Sequence, residues 1–141
     1  MKVESITISI MKEAYVKIET AQLLKEKGFD WDTYHYYDEI GRTWFEDVLC
    51  DWNHRTTPEV SCPTQQMVCR WLREEHNILV TVQPCEVGAG VDDYTYVIYE
   101  IQPEDYHIKF IDQGRMQPIA YTMDYEGTLE EGIKHVLTNL I

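Results

Sequence analysis

Cys50, His54, Cys62 and Cys69 follow one another as Cys-x3-His-x7-Cys-x6-Cys, four soft donors of the kind tetrahedral zinc takes. The run lacks the Cys-x2-Cys or His-x3-His pair that lets one turn grip a metal. Cysteine is also among the residues most often buried for packing alone. A thiol enzyme would need a thiolate with a base in reach. Cys50, Asp51 and His54 are near neighbours in the chain, and Cys62 near a helix start would have its thiolate favoured by the terminal N–H groups. Spacing alone does not make their side chains converge. Gly88-Ala89-Gly90 precedes a strand and is followed by Asp92-Asp93, which would repel a phosphate, so it reads as a hairpin turn. Gly-x-Ser-x-Gly and His-Glu-x-x-His are missing. Glu74-Glu75-His76 reads as a solvated helix end with His76 favoured by the dipole. These residues therefore predict no catalytic residue, no metal and no cofactor.

A different chemistry gathers between Phe29 and Trp52. Phe29, Trp31, Tyr34, Tyr36, Tyr37, Trp44, Phe45 and Trp52 are eight of the 17 aromatic residues, within 24 positions. Asp30, Asp32, Asp38, Glu39, Glu46, Asp47 and Asp51 interleave with them, and Arg42 is the only Lys or Arg between the two ends. A strand pair buries one face easily, so some rings should reach solvent, where Tyr and Trp serve as binding anchors. Acidic neighbours select a cationic partner through ion pairs and cation–π contacts. The candidate partner-binding residues are Trp31, Tyr34, Tyr36, Trp44, Phe45 and Trp52. The alternative is a hairpin whose rings pack on the helices and on each other, or one that holds a nucleotide or metabolite between rings.

The charge of the whole chain bears on the same question. Its 141 residues carry 25 acidic against 12 basic side chains, a net charge of -13. That field opposes a nucleic-acid backbone and an anionic membrane surface and steers a basic protein partner inward. It also keeps a protein soluble. The start, Met1-Lys2-Val3-Glu4-Ser5, lacks the apolar core of a secretory signal, and no apolar run approaches a membrane span. Cytoplasmic location with reduced cysteines is the expectation. Surplus aromatic surface on a short chain also suits a homodimer.

The elements that must position these residues follow from periodicity. Residues 3–10 alternate loosely as a strand. A helix is expected over 20–27, with Thr20 as N-cap and Gly28 just past its end. A hairpin spans 34–48 around a polar turn at 38–41, and 51–63 reads as loop. A second helix starts near Pro63, buries Met67, Val68, Trp71 and Leu72, and stops at Asn77. Alternation marks strands over 78–83, at Tyr106, Ile108 and Phe110, and at Ile119, Tyr121 and Met123. The segment 94–101 is apolar on both faces until Glu100 and belongs in the middle of its sheet. Leu129, Ile133, Val136, Leu137 and Leu140 form a last helical stripe, with Thr128 and Glu131 at capping-box spacing. Gly132 inside it implies a close packing contact. The fold class is α+β, an antiparallel or mixed sheet against about three helices, in one globular domain over 1–141.

Three blocks carry a resemblance. Ser61-x-Pro63-Thr64, Trp71-Leu72-Arg73-Glu74 and His76-Asn77-Ile78 form the first. Leu23-Leu24-Lys25-Glu26-Lys27-Gly28-Phe29-Asp30 is the second, and the run from Tyr125 to Lys134 the third. Taken in chain order, these blocks resemble an uncharacterised family of small proteins encoded in phage and prophage genomes of gut bacteria. The resemblance covers about a third of the chain. It implies an accessory gene on a mobile element and transfers no site residue.

Overall fold

The computed structural model describes residues 13–84, 94–114 and 124–141. In chain order the elements are α1 (Ile18–Glu26), β1 (Thr33–Tyr37), β2 (Thr43–Cys50), a 3-10 turn (Trp52–His54), β3 (Val60–Ser61), α2 (Gln65–His76), β4 (Ile78–Pro84), β5 (Tyr94–Gln102), β6 (His107–Gln113) and α3 (Tyr125–Asn139). The strands form two antiparallel sheets, ordered β2-β1-β3 and β4-β5-β6. The α+β expectation holds, with two small sheets where one was expected. The strands expected at 3–10 and at 119–123, and the turn at 88–90, lie outside the described residues.

Helix ends show where local chemistry suffices and where it does not. Thr64 caps α2, its hydroxyl accepting from Met67 N at 3.1 Å, and Asn77 closes it in the left-handed region at φ 55°. Pro63 therefore sits one residue outside the cap, where its missing N–H costs nothing. At the end of α1, Gly28 takes φ +88° and Phe29 N returns to Leu24 O at 2.9 Å, a Schellman stop that only glycine accepts without strain. Its beginning differs from expectation. The cap is Lys17, whose N–H donates to Oε1 of buried Glu130 at 3.2 Å, and Thr20 lies buried inside the helix. Likewise Asp124 caps α3 through Gly127 N at 2.7 Å, so Thr128 sits a turn inside the helix and forms no capping box. The expected loop at 51–63 also contains β3, paired to Tyr36 and Tyr37 of β1.

One core joins the two sheets. Val16, Leu24, Phe29, Val68, Trp71 and Leu72 meet Val80, Ile98, Ile133, Val136 and Leu137 in a single buried cluster. Helix α3 lies on the face of β4 and β5 that carries Val80, Tyr96 and Ile98. Gly132 makes this approach possible: a Cβ there would stand 2.9 Å from both Val80 Cγ1 and Tyr96 Cβ. Gly132→Val should cost about 1–3 kcal/mol by overpacking, read as a lower urea midpoint at unchanged slope. Among the described residues no helix is long and apolar enough to cross a membrane.

The second sheet shows its two faces unequally. Register places Glu100, Lys109 and Asp112 on the α3 side, with Asp112 Oδ2 2.8 Å from His135 Nε2. The opposite face holds Leu79, Thr81 and Gln83 of β4, Thr95, Val97, Tyr99 and Ile101 of β5, and Ile108, Phe110 and Gln113 of β6. None of these ten is an acid, a base or a histidine. Strand β5 is central, as its two apolar faces require.

Candidate functional site

The hairpin of β1 and β2 is organised by one carboxylate. Asp38 Oδ1 accepts from Ile40 N at 3.0 Å and Arg42 N at 2.8 Å, while Oδ2 accepts from Arg42 Nε and Trp44 Nε1, both at 2.8 Å. Backbone bonds from Asp38 N to Arg42 O and from Gly41 N to Asp38 O close the same turn. Four donors on one carboxyl hold Asp38 far below the usual carboxylate range, the Trp44 indole N–H being the largest cause. Asp38 is thus spent on structure, and its work is to fix the Trp44 ring, which the Arg42 guanidinium also covers at 5.6 Å.

Strand β2 is an outer strand of its sheet, and every residue from Thr43 to Leu49 is exposed. Trp44 is 46% exposed and Phe45 57%. Phe45 leans on His35 at 5.1 Å and on Tyr34, itself exposed, at 5.9 Å. Pairing of His35 with Phe45 and of Tyr36 with Trp44 puts Trp44 and Phe45 on opposite faces, so the aromatic surface wraps the strand rather than forming one plane. The ladder then breaks. Thr33 pairs with Cys50, so five steps along β2 match two along β1, and residues 46–49 bulge outward with Val48 and Leu49 exposed. Such bulges blunt an edge strand against indiscriminate pairing.

The other predicted residues sit elsewhere. Trp52 is 5% exposed, donates its indole N–H to Thr33 O at 2.9 Å, and stacks on half-buried Tyr36 at 4.2 Å. The Arg55 guanidinium also lies over that ring, 4.7 Å from its centroid. Trp31 is half-buried against the core, 6.3 Å from Phe29 and 5.9 Å below the Arg70 guanidinium. The rings of Tyr36 and Trp52 touch each other and leave no slot for a base between them. Of the six, Tyr34, Trp44 and Phe45 form the exposed surface. Ile40, Val48 and Leu49 join it; only their adjacency to a charged turn and strand marked them in the sequence. Glu39, Glu46 and Asp47 make no ion pair among the described residues, which leaves the rim negative. Beside the turn, Ile18, Gln22, Ile40, Pro58 and Val60 wall a groove of about 310 Å³.

Two of the cysteines, Cys62 and Cys69, are held as thiols. Cys62 is buried with its thiol directed at Val16 O, 3.8 Å away, and burial pushes its pKa up to about 11. Burial raises Cys69 to about 11 as well, partly offset by Arg73. At pH 8 about one part in a thousand of either is thiolate. His54 pairs through Nδ1 with Asp51, and no group of three His, Cys, Asp or Glu side chains that could hold a metal occurs among the described residues. Iodoacetamide at pH 7.5 should leave Cys62 unmodified in the folded protein and alkylate it once urea unfolds the chain, as peptide mass spectrometry would read.

No protein-family model, no curated protein and no solved structure matches the chain.

Proposed function

We propose that this protein is a non-enzymatic binding protein that captures a basic protein partner through the acidic aromatic hairpin. The observation that carries the reading is the exposed outer strand β2, with Trp44 held in place by Asp38. A large ring fixed before contact loses little freedom on binding, and that is what lets one side chain anchor an interface. Glu39, Glu46 and Asp47 supply the surrounding field, which accelerates encounter with a cation and repels nucleic acid. The raised pKa of the buried thiols supports the non-enzymatic half of the reading. A mobile-element accessory protein acting in a bacterial cytoplasm, as the resemblance to phage-encoded small proteins implies, is part of the same proposal.

The test compares capture from bacterial lysate by the wild type and by Trp44→Ala/Phe45→Ala, with folding checked by circular dichroism. Loss of a hot-spot ring costs about 2 kcal/mol, roughly thirtyfold in affinity. A partner retained at 50 mM NaCl, released at 0.5 M and lost by the double variant supports the reading. Equal capture by the folded double variant overturns it.

A further inference from the structure

We infer that the groove between α1 and the hairpin turn is a socket for one arginine side chain of the basic partner. This rests on the hairpin's being the binding surface, and it names what the groove beside that surface takes. The apolar part of the lining is Ile18, Ile40, Pro58 and Val60; the polar part is Gln22, Asp38 and Glu39. A volume of about 310 Å³ lies at the small end of ligand sites, room for one long side chain rather than a folded element. Asp38 joins the socket to the anchor ring. It lines the groove while its Oδ2 holds the Trp44 indole at 2.8 Å, so a residue seated here brings its chain neighbours up to Trp44.

Charge selects a cation. The lining holds two carboxylates and no Lys, Arg or His. Arg42 is engaged with Asp38 at 2.8 Å, Lys25 Nζ donates to Glu59 O at 3.2 Å, and Arg55 lies over the Trp52 ring. None of the three neutralises Glu39, which makes no ion pair among the described residues. The oxygens of Asp38 already accept four donors, so Asp38 adds field and Glu39 keeps the free lone pairs. An anion would be repelled. A neutral side chain would strip water from Glu39 and return no hydrogen bond. Arg and Lys lay their methylene stems on apolar walls and keep the charged end at the rim. Arginine fits better than lysine: its planar fork has donors for both the Glu39 carboxylate and the Gln22 amide oxygen, and it is more weakly hydrated.

The probe is the blocked tripeptide acetyl-Gly-Arg-Gly-amide, titrated into the full chain and followed by amide NMR. One side chain binds weakly, with a dissociation constant on the order of 1–10 mM. The amides of Gln22, Glu39, Ile40 and Gly41 should shift saturably. The same peptide with citrulline, which keeps the shape and loses the charge, should bind roughly tenfold more weakly. Glu39→Gln, an exposed change, should erase that difference between the peptides. Gln22→Phe fills the groove from an exposed position of α1 and should abolish the shifts with the circular dichroism spectrum unchanged. Equal binding of the arginine and citrulline peptides, shifts that never saturate, or shifts that survive in folded Gln22→Phe would each overturn the socket. The hairpin reading fails separately. Lysate capture that ignores Trp44→Ala/Phe45→Ala would sink that reading, and saturable arginine binding at these four amides would still uphold the groove as an arginine site.

Discussion

Trp52→Ala should lower the stability of the folded chain by about 3–5 kcal/mol, the range for removing a large buried aromatic. Trp44→Ala, eight residues away on the same hairpin, should stay within about 1 kcal/mol. The difference lies in burial and bonding. Trp52 is enclosed, with its indole N–H on Thr33 O, the Tyr36 ring stacked on it and the Arg55 guanidinium over it. Truncation opens a cavity and leaves a backbone carbonyl without its donor, and both terms add. Trp44 loses a single bond to Asp38 at the surface. Since small domains have only about 5–15 kcal/mol to lose, Trp52→Ala should be partly unfolded near 37 °C. Urea titration followed by circular dichroism measures both variants without relying on the fluorophore removed. Equal midpoints for the two would mean that Trp52 does not hold the hairpin to the core. The corollary concerns binding tests: a variant lacking Trp52 reports on folding, so the surface has to be probed at Trp44 and Phe45.

That distinction marks the limit of what the residues alone disclose. The acidic, aromatic character of the hairpin is plain from composition, and so is its turn. Which rings face outward depends on pairing: Tyr36 opposite Trp44, β3 against β1, and the 3-10 turn that carries Trp52 back onto the sheet. Strand β3 is two residues long, too short for any period. The start of α2 is legible to within two residues, at Pro63 as a first-turn residue, whereas Thr64 is the cap and Pro63 lies outside it; Asn77 ends the helix by its own conformation. The start of α1 is not legible, because its acceptor, Glu130, lies 113 positions away. Thr128 and Glu131 mimic a cap by spacing, while Asp124 takes that role one turn earlier. The same holds for function. Alternation shows that β4 and β6 have an apolar face. Only the placement of α3 shows which face packs on the helix.

Replacing Asp38 by Asn should release the hairpin tip while sparing the core, although the two side chains are nearly isosteric. Oδ2 accepts two N–H donors, from Arg42 and Trp44. An amide cannot accept from Ile40 and Arg42 backbone donors on one atom and from two more donors on the other, because that second atom is itself an NH₂. Donor then faces donor, and the Trp44 ring is no longer held. The indole Nε1–H resonance of Trp44 should shift, and the backbone amides of Ile40 and Arg42 should exchange roughly tenfold faster or more. Acid should mimic the substitution. The folded-state pKa of Asp38 is depressed, so its contribution is complete above the ordinary carboxylate value near ~4 and is lost as pH falls through the lower folded value. His35, wedged between Tyr15 and Phe45, acts in the same direction at a higher pH. Its pKa is lowered, chiefly by burial and against the pull of Glu13, so its contribution is full above ~6.5 and fades below that. Two acid steps are therefore expected at the hairpin, and only the lower one should vanish in Asp38→Asn. A Trp44 indole signal that ignores both the substitution and the acid would mean the carboxylate does not orient the ring. If it does orient it, Asp38→Asn should also weaken partner capture without touching the partner, because a ring that must be ordered on contact binds less tightly than one already in place.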